Sequence, residues 1–285
     1  MVTKTGTNVL IVGCGDLGMA VAEQLSKLGL QVTGLKRHVQ SDVAMRMIVA
    51  DVTQPATLEP LRYLQFDMLI YCVAADAQSD EAYQSAYVSG LSHVLATQVN
   101  NTHLKHVFFV SSTRVYGMSS DVMLDESMPA ISSDYGGDRL LEGEHLLSTL
   151  ACSTTALRLS GIYGPTRTRM IRLAQSLALW PKQNQWSNRI HRDDAASFIV
   201  HLVKEKMTGK KLATTYIVTD STPATQYEVL SWIAHQLNLP SLPAPVPIGG
   251  KRLSNRAMLA SGFELKYPSY QLGYHELLLQ SGNLL

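Results

Sequence analysis

The stretch NVLIVGCGDLG, residues 8–18, decides the fold of this 285-residue chain. It begins with the short apolar run of a buried strand, and residues 17–28 repeat apolar side chains along one helical face. The turn between these two segments matches G-x-G-x-x-G, a motif that is weak when it stands alone. Here it directly follows a predicted strand and opens a predicted helix, which is the context that a dinucleotide-binding turn requires.

Glycines serve such a turn in three physical ways. They permit a tight turn, close approach of the backbone to a pyrophosphate, and close packing of the helix on the strand. The helix N-terminus then offers N–H groups and a partial positive charge to an anion. We therefore predict that the turn binds a dinucleotide through Gly13, Gly15, Asp16, Leu17 and Gly18; the alternative is a glycine-rich turn that binds no ligand.

The alternation of apolar runs and helical periods continues along the chain. Strand-like runs occur at 31–35, 45–51, 66–75, 106–112, within 154–164 and at 214–219, and helical segments at 83–95, 169–180, 193–206 and 226–237, before a proline-rich stretch and two short terminal helices. Nearly continuous apolar strands that are separated by helices indicate a parallel sheet covered on both faces. We predict an α/β fold, a doubly wound, Rossmann-like parallel sheet at 1–165 and 189–220, with a smaller C-terminal substrate lobe at 166–188 and 221–285.

The composition argues against several kinds of partner. The chain has 24 Lys and Arg against 23 Asp and Glu and no basic block, so we expect neither nucleic acid nor an anionic membrane as its main partner. Residues 1–13 do not resemble a signal peptide, and no apolar run approaches the ~18 residues of a membrane span. The 3 cysteines are far apart and resemble buried thiols of a reducing compartment, which predicts a cytoplasmic location.

The residues after the second predicted strand bear on the choice between NAD and NADP. An NAD site usually places an acidic residue there, which holds the ribose hydroxyls and would repel a 2′-phosphate. This chain has Lys36 and Arg37 instead, and no acidic residue before Asp42, so we predict NADP as the cofactor and NAD as the alternative. A solvated turn would explain the same two cations. Asp51, which ends the third strand, is predicted to accept a hydrogen bond from the adenine; the alternative is that Asp51 or Thr53 caps the turn that follows.

Six short motifs occur in an order that identifies a family. They are the glycine-rich turn, VADVT (49–53), YCVAA (71–75), VSSTRVYG (110–117), LRLSGIYGP (157–165) and RIHRDDAA (189–196). With these motifs the chain resembles the extended short-chain dehydrogenase/reductases, the NAD-dependent epimerase/dehydratase family, which acts largely on nucleotide sugars. The form of the glycine-rich turn, Tyr87 in YVSG and the pattern at 251–274 favour an atypical branch of that family.

The resemblance assigns roles to further residues. It implies that Ser112 is the catalytic Ser/Thr, that Tyr135 is the catalytic acid–base, and that Tyr163 lies near the nicotinamide. It also admits a homodimer through the helices that correspond to residues 80–99 and 138–150. The cofactor contacts that it implies beyond the turn are Asp51, Val52, Ala74 and Ala75.

The catalytic pair departs from the family's Tyr-x-x-x-Lys pattern. A free tyrosine has a pKa of ~10, and a cation one helical turn away favours its anion. The stretch DYGGDRL (134–140) has Arg139 at the lysine position, and we predict that it takes over this role in a catalytic set with Ser112 and Tyr135. Arginine is a planar fork on a longer arm, however, and does not match a compact ammonium in shape.

Another interpretation of this stretch stays open. Gly136 and Gly137 each cost a helix interior about 1 kcal/mol relative to alanine, which would allow the helix to begin later, at Asp138 or Arg139. Arg139 would then pair with Glu142, three residues further on. The alternative function is accordingly a non-catalytic NAD(P)-binding protein that senses redox state or docks a partner.

Basic residues in the later motifs are candidates for substrate contacts. Arg167 and Arg189 are predicted to hold an anionic substrate, because sugar nucleotides in the family that the chain resembles need a cationic contact. The alternative for Arg167 is a simply exposed position. The alternative for residues 189–194 is a surface turn of basic residues, with Asp193 or Asp194 as the N-cap of the helix that follows. His103 and His106 are spaced i, i+3 in a connection; we expect them to face solvent, and we predict no metal site.

The function that follows is an NAD(P)-dependent oxidoreductase or epimerase. We expect an NADP-preferring enzyme that acts on a hydroxyl or carbonyl group of a small or nucleotide-sugar-like substrate, bound under the C-terminal lobe. Tyr135 would move the hydroxyl proton while Ser112 orients the hydroxyl group.

Overall fold

Strands and helices alternate along most of the chain, as the apolar pattern predicts. The computed structural model describes residues 6–38, 45–117, 119–120, 122–280 and 282. Within these ranges the strands are β1 (Asn8–Val12), β2 (Gln31–Lys36), β3 (Arg46–Val49), β4 (Met68–Tyr71), β5 (His106–Ser112), β6 (Met123–Leu124), β7 (Ser153–Leu159), β8 (Gly161–Tyr163), β9 (Trp186–Ser187), β10 (Arg189–His191), β11 (Thr215–Val218), β12 (Ala224–Thr225) and β13 (Arg252–Leu253). The α-helices are α1 (Asp16–Lys27), α2 (Asp80–Tyr83), α3 (Gly90–Thr97), α4 (Tyr135–Leu147), α5 (Arg169–Ala174), α6 (Arg192–Met207), α7 (Gln226–Gln236), α8 (Arg256–Ala260) and α9 (Tyr270–Gln280).

Seven of the strands form a parallel sheet in the order β11-β7-β5-β4-β1-β2-β3, which confirms the predicted doubly wound fold. The order reverses at β1, where Val12 pairs with Leu35 of β2 on one side and with Tyr71 of β4 on the other. The carboxyl ends of these three strands therefore meet at one edge. Parallel α/β sheets bind their ligands at such a switch point, so the segments that follow β1, β2 and β4 are placed to form a site.

Several elements are shorter than the sequence predicted, and the largest differences are at the ends of β4 and α5. β4 ends at Tyr71 rather than at residue 75, because the residues after it leave the sheet as a loop. The helix that begins at Arg169 ends at Ala174, and a short 3-10 turn at Leu177–Leu179 then leads to Pro181. Trp180, which precedes the proline, has the extended backbone that residues before proline favour, so the 3-10 turn does not continue beyond Leu179.

The helical segment after β4 contains a stretch of unusual geometry. The helices α2 and α3 are joined without a break by a π-helical segment, Gln84–Ser89. The hydroxyl of the buried Tyr71 donates to the carbonyl of Ala86 in this segment, at 2.5 Å. A Cβ on Gly90 would lie 2.8 Å from the hydroxyl of Tyr71, so the helix approaches the sheet closely here. Helical π segments are rare and often occur near functional sites.

Contacts divide the described residues into two compact units. The first unit comprises 1–117, 130–158 and 196–215, and the second comprises 118–129, 159–195 and 216–285, as far as these ranges are described. The boundaries predicted from sequence followed the strand pattern. The contacts instead place 118–129, 159–165, 189–195 and 216–220 in the second unit, as far as these residues are described.

The second unit has an apolar core of its own, which is rich in aromatic side chains. The helices α5, α7 and α9 contribute to it. Its aromatic members include Tyr163, Trp180, Tyr227, Tyr270 and Tyr274. None of the helices in the described ranges is long and apolar enough to cross a membrane.

Asp194 has a different structural role from the one proposed from sequence. Helix α6 begins at Arg192, so neither Asp193 nor Asp194 is its N-cap. The Asp194 carboxylate instead accepts hydrogen bonds from the backbone N–H groups of Lys266 and Tyr267, at 2.9 and 2.8 Å. It thereby fixes the segment that precedes α9, a contact that short-range capping rules do not predict.

Candidate functional site

The glycine-rich turn after β1 has a backbone that only glycine adopts easily. Gly13 has a φ of +94°, and its N–H donates to the carbonyl of Leu35 at 3.0 Å. A Cβ on Gly13 would lie 2.5 Å from the carbonyl oxygen of Cys72. A Cβ on Gly18 would lie 2.3 Å from the carbonyl oxygen of Gly13, so helix α1 begins in direct contact with the turn. Both glycines are therefore required by the fold itself.

Gly15 differs from these two glycines. It is the N-cap residue of α1, and a Cβ added there would meet no heavy atom of the described residues within 4 Å. No side chain in the described ranges caps this end of α1. An N-terminal helix end that faces open space, at the switch point of the sheet, fits the pyrophosphate of a dinucleotide. Asp16 and Leu17 follow in the first turn, where the sequence analysis placed them.

Arg37, directly after β2, forms a bidentate ion pair with Asp76. Its two terminal nitrogens donate to the carboxylate oxygens of Asp76, at 2.5 and 2.6 Å. The pKa of Asp76 is lowered because of this bond. Lys36 is exposed. The carboxylate comes from the loop after β4, which begins with Cys72 and also carries Ala74. The pair therefore joins the loops that follow β2 and β4, and Arg37 is not simply solvated.

The VADVT motif follows β3 and combines local capping with burial. Oδ1 of Asp51 accepts hydrogen bonds from the N–H and the hydroxyl of Thr53, at 2.9 and 2.8 Å, so the turn-capping alternative is present. Val52 is buried, and its carbonyl accepts a hydrogen bond from Nδ1 of His93 at 2.8 Å. The adenine contact of Asp51 stays a prediction, as do the cofactor contacts of Val52, Ala74 and Ala75.

Tyr135 is the first residue of α4, so the later helix start that the glycines suggested is wrong. The helix begins here because the carboxylate of Asp134 caps it and accepts a hydrogen bond from the N–H of Gly137 at 2.9 Å. Ser112 ends β5, and its Oγ accepts a hydrogen bond from the N–H of Arg114 at 3.2 Å. The catalytic role of Ser112 and Tyr135 stays a prediction.

The guanidinium of Arg139 is bound by two carboxylates. Its Nε and Nη2 donate to Asp80, at 2.7 and 3.1 Å, and its Nη1 donates to Glu142 at 2.6 Å. The Glu142 pair is the one that the i, i+3 spacing predicted, whereas the contact with Asp80 of α2 was not predicted. The pKa of Arg139 is raised, mainly by the hydrogen bond to Asp80.

The cation that contacts the ring of Tyr135 is Arg114, which the sequence analysis did not single out. Its guanidinium carbon lies 5.2 Å from the centre of the Tyr135 ring and 5.0 Å from that of Tyr83. Its Nε donates to Asp134 at 2.9 Å, and its Nη1 donates to the hydroxyl of Tyr83 at 2.8 Å. The signal in the sequence is an arginine in VSSTRVYG together with the two glycines after Tyr135.

The second unit holds the other predicted site residues. Tyr163 is buried and stacks on Tyr274 with 4.4 Å between ring centres. Arg189 is only 5% exposed; its Nη2 donates to Ser187 Oγ at 2.6 Å, and its guanidinium carbon lies 5.3 Å from the centre of the Tyr270 ring. Arg167 is exposed and its N–H donates to the carbonyl of Gly164. The substrate contacts of both arginines and the nicotinamide contact of Tyr163 stay predictions.

The second unit also buries a carboxyl group that lacks full hydrogen bonding. Oδ2 of Asp220, the hydroxyl of Tyr163 and Nη1 of Arg189 are buried and have no hydrogen-bond partner in the part of the chain that the structure describes. Burial raises the pKa of Asp220 from 3.8 to about 7, although Arg189 and the N–H of Thr222 act in the opposite direction.

We expect Asp220→Asn to weaken the pH dependence of stability. Between about pH 4 and pH 7 the folded chain holds a proton on Asp220 that the unfolded chain has released, so its contribution to stability falls as the pH rises through this window and is constant above it. Asparagine does not ionise, so the variant should gain roughly 2–4 kcal/mol of unfolding free energy over the native chain between pH 4 and pH 8. Urea unfolding at both pH values measures the gain, and Asp138→Asn, at an exposed position, is the control. If the unfolding free energy changes by the same amount between pH 4 and pH 8 in the native chain and in Asp220→Asn, the raised pKa of Asp220 is contradicted.

One of the two histidines discussed above does not face solvent. His106 is buried, and its ring nitrogens lie 2.7 Å from Ser153 Oγ and 3.1 Å from Thr155 Oγ1. Burial lowers the pKa of His106 to about 3. The expectation that it faces solvent is wrong, because β5 carries it into the interior beside β7. Among the described residues, no three His, Cys, Asp or Glu side chains gather as a metal site.

Comparisons of the sequence and of the structure with known proteins relate this chain to the same family. The model of the NAD dependent epimerase/dehydratase family matches residues 9–217. The protein YeeZ of Escherichia coli K12 is 31% identical over 213 residues, which cover 70% of this chain and 74% of YeeZ. A solved structure from Methylobacillus flagellatus, provisionally assigned as an NAD-dependent epimerase/dehydratase, is 44% identical, with a TM-score of 0.88 over 97% of this chain and 99% of that one.

More distant structures share the fold. The UDP-glucose 4-epimerase of Thermus thermophilus, solved with NAD, has a TM-score of 0.76 at 18% identity, over 94% of this chain and 96% of that one. The enzyme WbmG of Bordetella bronchiseptica, also solved with NAD, has a TM-score of 0.80 at 17% identity, over 100% of this chain and 98% of that one. The family model and the more similar relatives decide the assignment: the chain belongs to the NAD-dependent epimerase/dehydratase family.

Proposed function

We propose that this protein is an NAD(P)-dependent oxidoreductase or epimerase that acts on a hydroxyl or carbonyl group of a small or nucleotide-sugar-like substrate. The observation that carries the proposal is the space in front of Gly15, at an end of α1 that no side chain in the described ranges caps. The family supports an enzyme rather than a non-catalytic sensor, and nucleotide-sugar epimerases are among the structures that share the fold.

The residues of the first unit fit the cofactor and the chemistry proposed for it. A dinucleotide would lie with its pyrophosphate on the backbone at Gly15, and its bound nicotinamide would supply the acceptor or donor of a hydride. Tyr135 would take the proton from the substrate hydroxyl during oxidation and return it during reduction. Ser112, whose side chain is partly exposed at the end of β5, would hold the same oxygen atom through a hydrogen bond.

The preference for NADP rests on the two cations at the end of β2, Lys36 in its last position and Arg37 directly after it. Lys36 is exposed and Arg37 lies beside it, at the edge of the sheet where a bound adenosine ribose would lie. Arg37 is bound to Asp76, so a 2′-phosphate would have to compete with that carboxylate for the guanidinium. A phosphate carries more charge than a carboxylate and offers more acceptor oxygens, which favours the exchange.

A fluorescence titration of the cofactor-free protein with NADPH and with NADH tests the cofactor and its type. We expect NADPH to bind about 10- to 100-fold more tightly, as one or two charge-assisted hydrogen bonds to the 2′-phosphate would give. Lys36→Gln combined with Arg37→Gln should remove the preference and leave NADH binding within about threefold of its native value.

The other outcomes of this titration are equally clear. A preference for NADH would support the site but overturn the role of Lys36 and Arg37. Binding of neither nucleotide would contradict the cofactor site and, with it, the proposed enzyme.

A further inference from the structure

We propose that Arg114, rather than Arg139, is the positioning cation for Tyr135, so that the charge which the family supplies from the helix comes here from the turn after β5. The chemical meaning of this inference rests on the proposed function, because it assumes that Tyr135 is the acid–base. The contacts that carry it are those of the first unit alone. These contacts determine how far carboxylates neutralise each arginine, how much space the guanidinium of Arg114 has, and how firmly Tyr135 is held.

The charge of Arg139 is already matched. Asp80 binds its Nε and Nη2, and Glu142 binds its Nη1, so all three nitrogens of the guanidinium donate to carboxylates. Two negative charges beside one positive charge leave no net cationic field for a neighbouring tyrosinate. Arg139 keeps the spacing of the family's lysine without its electrostatic effect.

Arg114 has the opposite arrangement. Among the described residues one carboxylate, Asp134, binds it, through Nε, while Nη1 donates to the neutral groups Tyr83 Oη and Gln78 Oε1, at 2.8 and 3.1 Å. The face of the guanidinium lies over the ring of Tyr135. Although partial burial lowers it, the pKa of Arg114 is raised on balance by Asp134 and by the hydroxyl groups of Tyr83 and Tyr135. The cation is therefore permanent and close to the phenol.

Gly136 makes room for this guanidinium, and Gly137 makes room for the loop that precedes α4. A Cβ on Gly136 would lie 2.4 Å from the guanidinium carbon of Arg114 and 2.5 Å from its Nη1. A Cβ on Gly137 would lie 2.8 Å from Oγ of Ser132. The helix tolerates glycine at both positions because larger residues would push the arginine or the preceding loop away. The glycine at 136 is thus explained by the position of Arg114, and the glycine at 137 by the position of Ser132.

Tyr135 is held in place by the guanidinium of Arg114, the ring of Tyr83 and the start of α4. Asp134 both caps α4 and binds Arg114, which ties the helix start to the turn that begins at Ser112. The ring of Tyr83 meets that of Tyr135 edge to face, with 5.7 Å between ring centres. The N-terminus of α4 adds a partial positive charge at this position. The other titratable groups on the elements around Tyr135 are Asp80, Glu81, Tyr83, Tyr87 and His93 on the helical segment after β4, and Asp138, Arg139, Glu142, Glu144 and His145 on α4.

The test is an ultraviolet titration of tyrosinate formation, which needs neither cofactor nor substrate. Each variant is compared with the same variant carrying Tyr135→Phe, so that the difference reports Tyr135 alone. We expect Arg114→Met to move the midpoint of this difference upward by about 1–2 pH units, because a cation near the phenol is lost. Arg139→Met, the matched control, should move it by about 0.3 pH unit or less, as for an exposed ion pair.

Two further variants guard against a trivial loss of structure. Arg114→Lys keeps the charge and should restore at least half of the shift. Gly136→Ala keeps both arginines but displaces the flexible end of Arg114, and it should raise the midpoint in the direction of Arg114→Met. A shift with Arg139→Met and none with Arg114→Met, or no shift with either, would overturn the proposal. Because the titration reads the free protein, these outcomes are independent of whether the proposed enzyme activity is found.

Discussion

Tyr135→Phe is expected to lower turnover by about a thousandfold or more, because general acid–base catalysis contributes 10²–10⁴-fold to such reactions. Removal of one hydroxyl leaves the ring contacts with Tyr83 and Arg114 in place. The cap of α4 comes from Asp134 and is not changed. Cofactor affinity should therefore stay within about threefold, since the substitution removes no group from the glycine-rich turn.

The measurement pairs a nucleotide titration with a turnover assay on UDP-glucose, UDP-N-acetylglucosamine and a set of simple carbonyl compounds. Tyr63→Phe is the control, because it removes the same atom from a tyrosine that is 79% exposed in the first unit. Turnover that survives in Tyr135→Phe on a substrate that the native chain converts would remove Tyr135 from the mechanism. A large loss of cofactor affinity would instead make it a binding residue.

Gly15→Ala is expected to abolish tight cofactor binding without disturbing the fold. The new methyl group enters open space, and the φ of Gly15 is −81°, which alanine adopts without strain. A pyrophosphate that approaches the backbone here would be held off by the methyl group and would lose one or more hydrogen bonds to charged oxygens, each contributing roughly 1.5–3 kcal/mol. Affinity should fall by about 30-fold or more.

Gly18→Ala provides the contrast that makes the first result interpretable. Its Cβ would lie 2.3 Å from a backbone oxygen, which cannot move aside as a flexible side chain can, so this variant should lose several kcal/mol of stability. Thermal unfolding separates the two cases, because only Gly18→Ala should lower the midpoint strongly. If Gly15→Ala binds the cofactor as the native chain does, the open space at Gly15 is not the pyrophosphate site.

Much of the fold follows from local sequence, because strand and helix periods are local. The β1–turn–α1 unit is predictable from residues 8–28, and the parallel sheet follows from the repeated apolar runs. The π segment at Gln84–Ser89 is not predictable in this way, since the hydroxyl of Tyr71, on a neighbouring strand, satisfies the Ala86 carbonyl within it. A contact between distant residues decides this geometry, and no helical period encodes it.

The candidate site divides in the same way. The glycine-rich turn is visible in the sequence because the constraint acts on the backbone of the motif itself. The i, i+3 pair of Arg139 and Glu142 is visible for the same reason, as both lie on one helix. The position of Arg114 is not, because it depends on how the turn after β5 meets the start of α4. Spacing along one helix predicted Arg139 as the cation beside Tyr135, whereas the tertiary contact identifies Arg114 in that place.

The π segment also bears on how this branch of the family can diverge. Each residue turns an α-helix by about 100°, so one residue more or fewer between Asp80 and Gly90 changes the phase of α2 relative to α3 by about that angle. Asp80 and Tyr83 both lie on α2, and they bind Arg139 and Arg114 respectively. A homologue that lost one residue here would turn both partners away from α4 in a single step. The two arginine sites are therefore expected to be kept or rebuilt together in evolution.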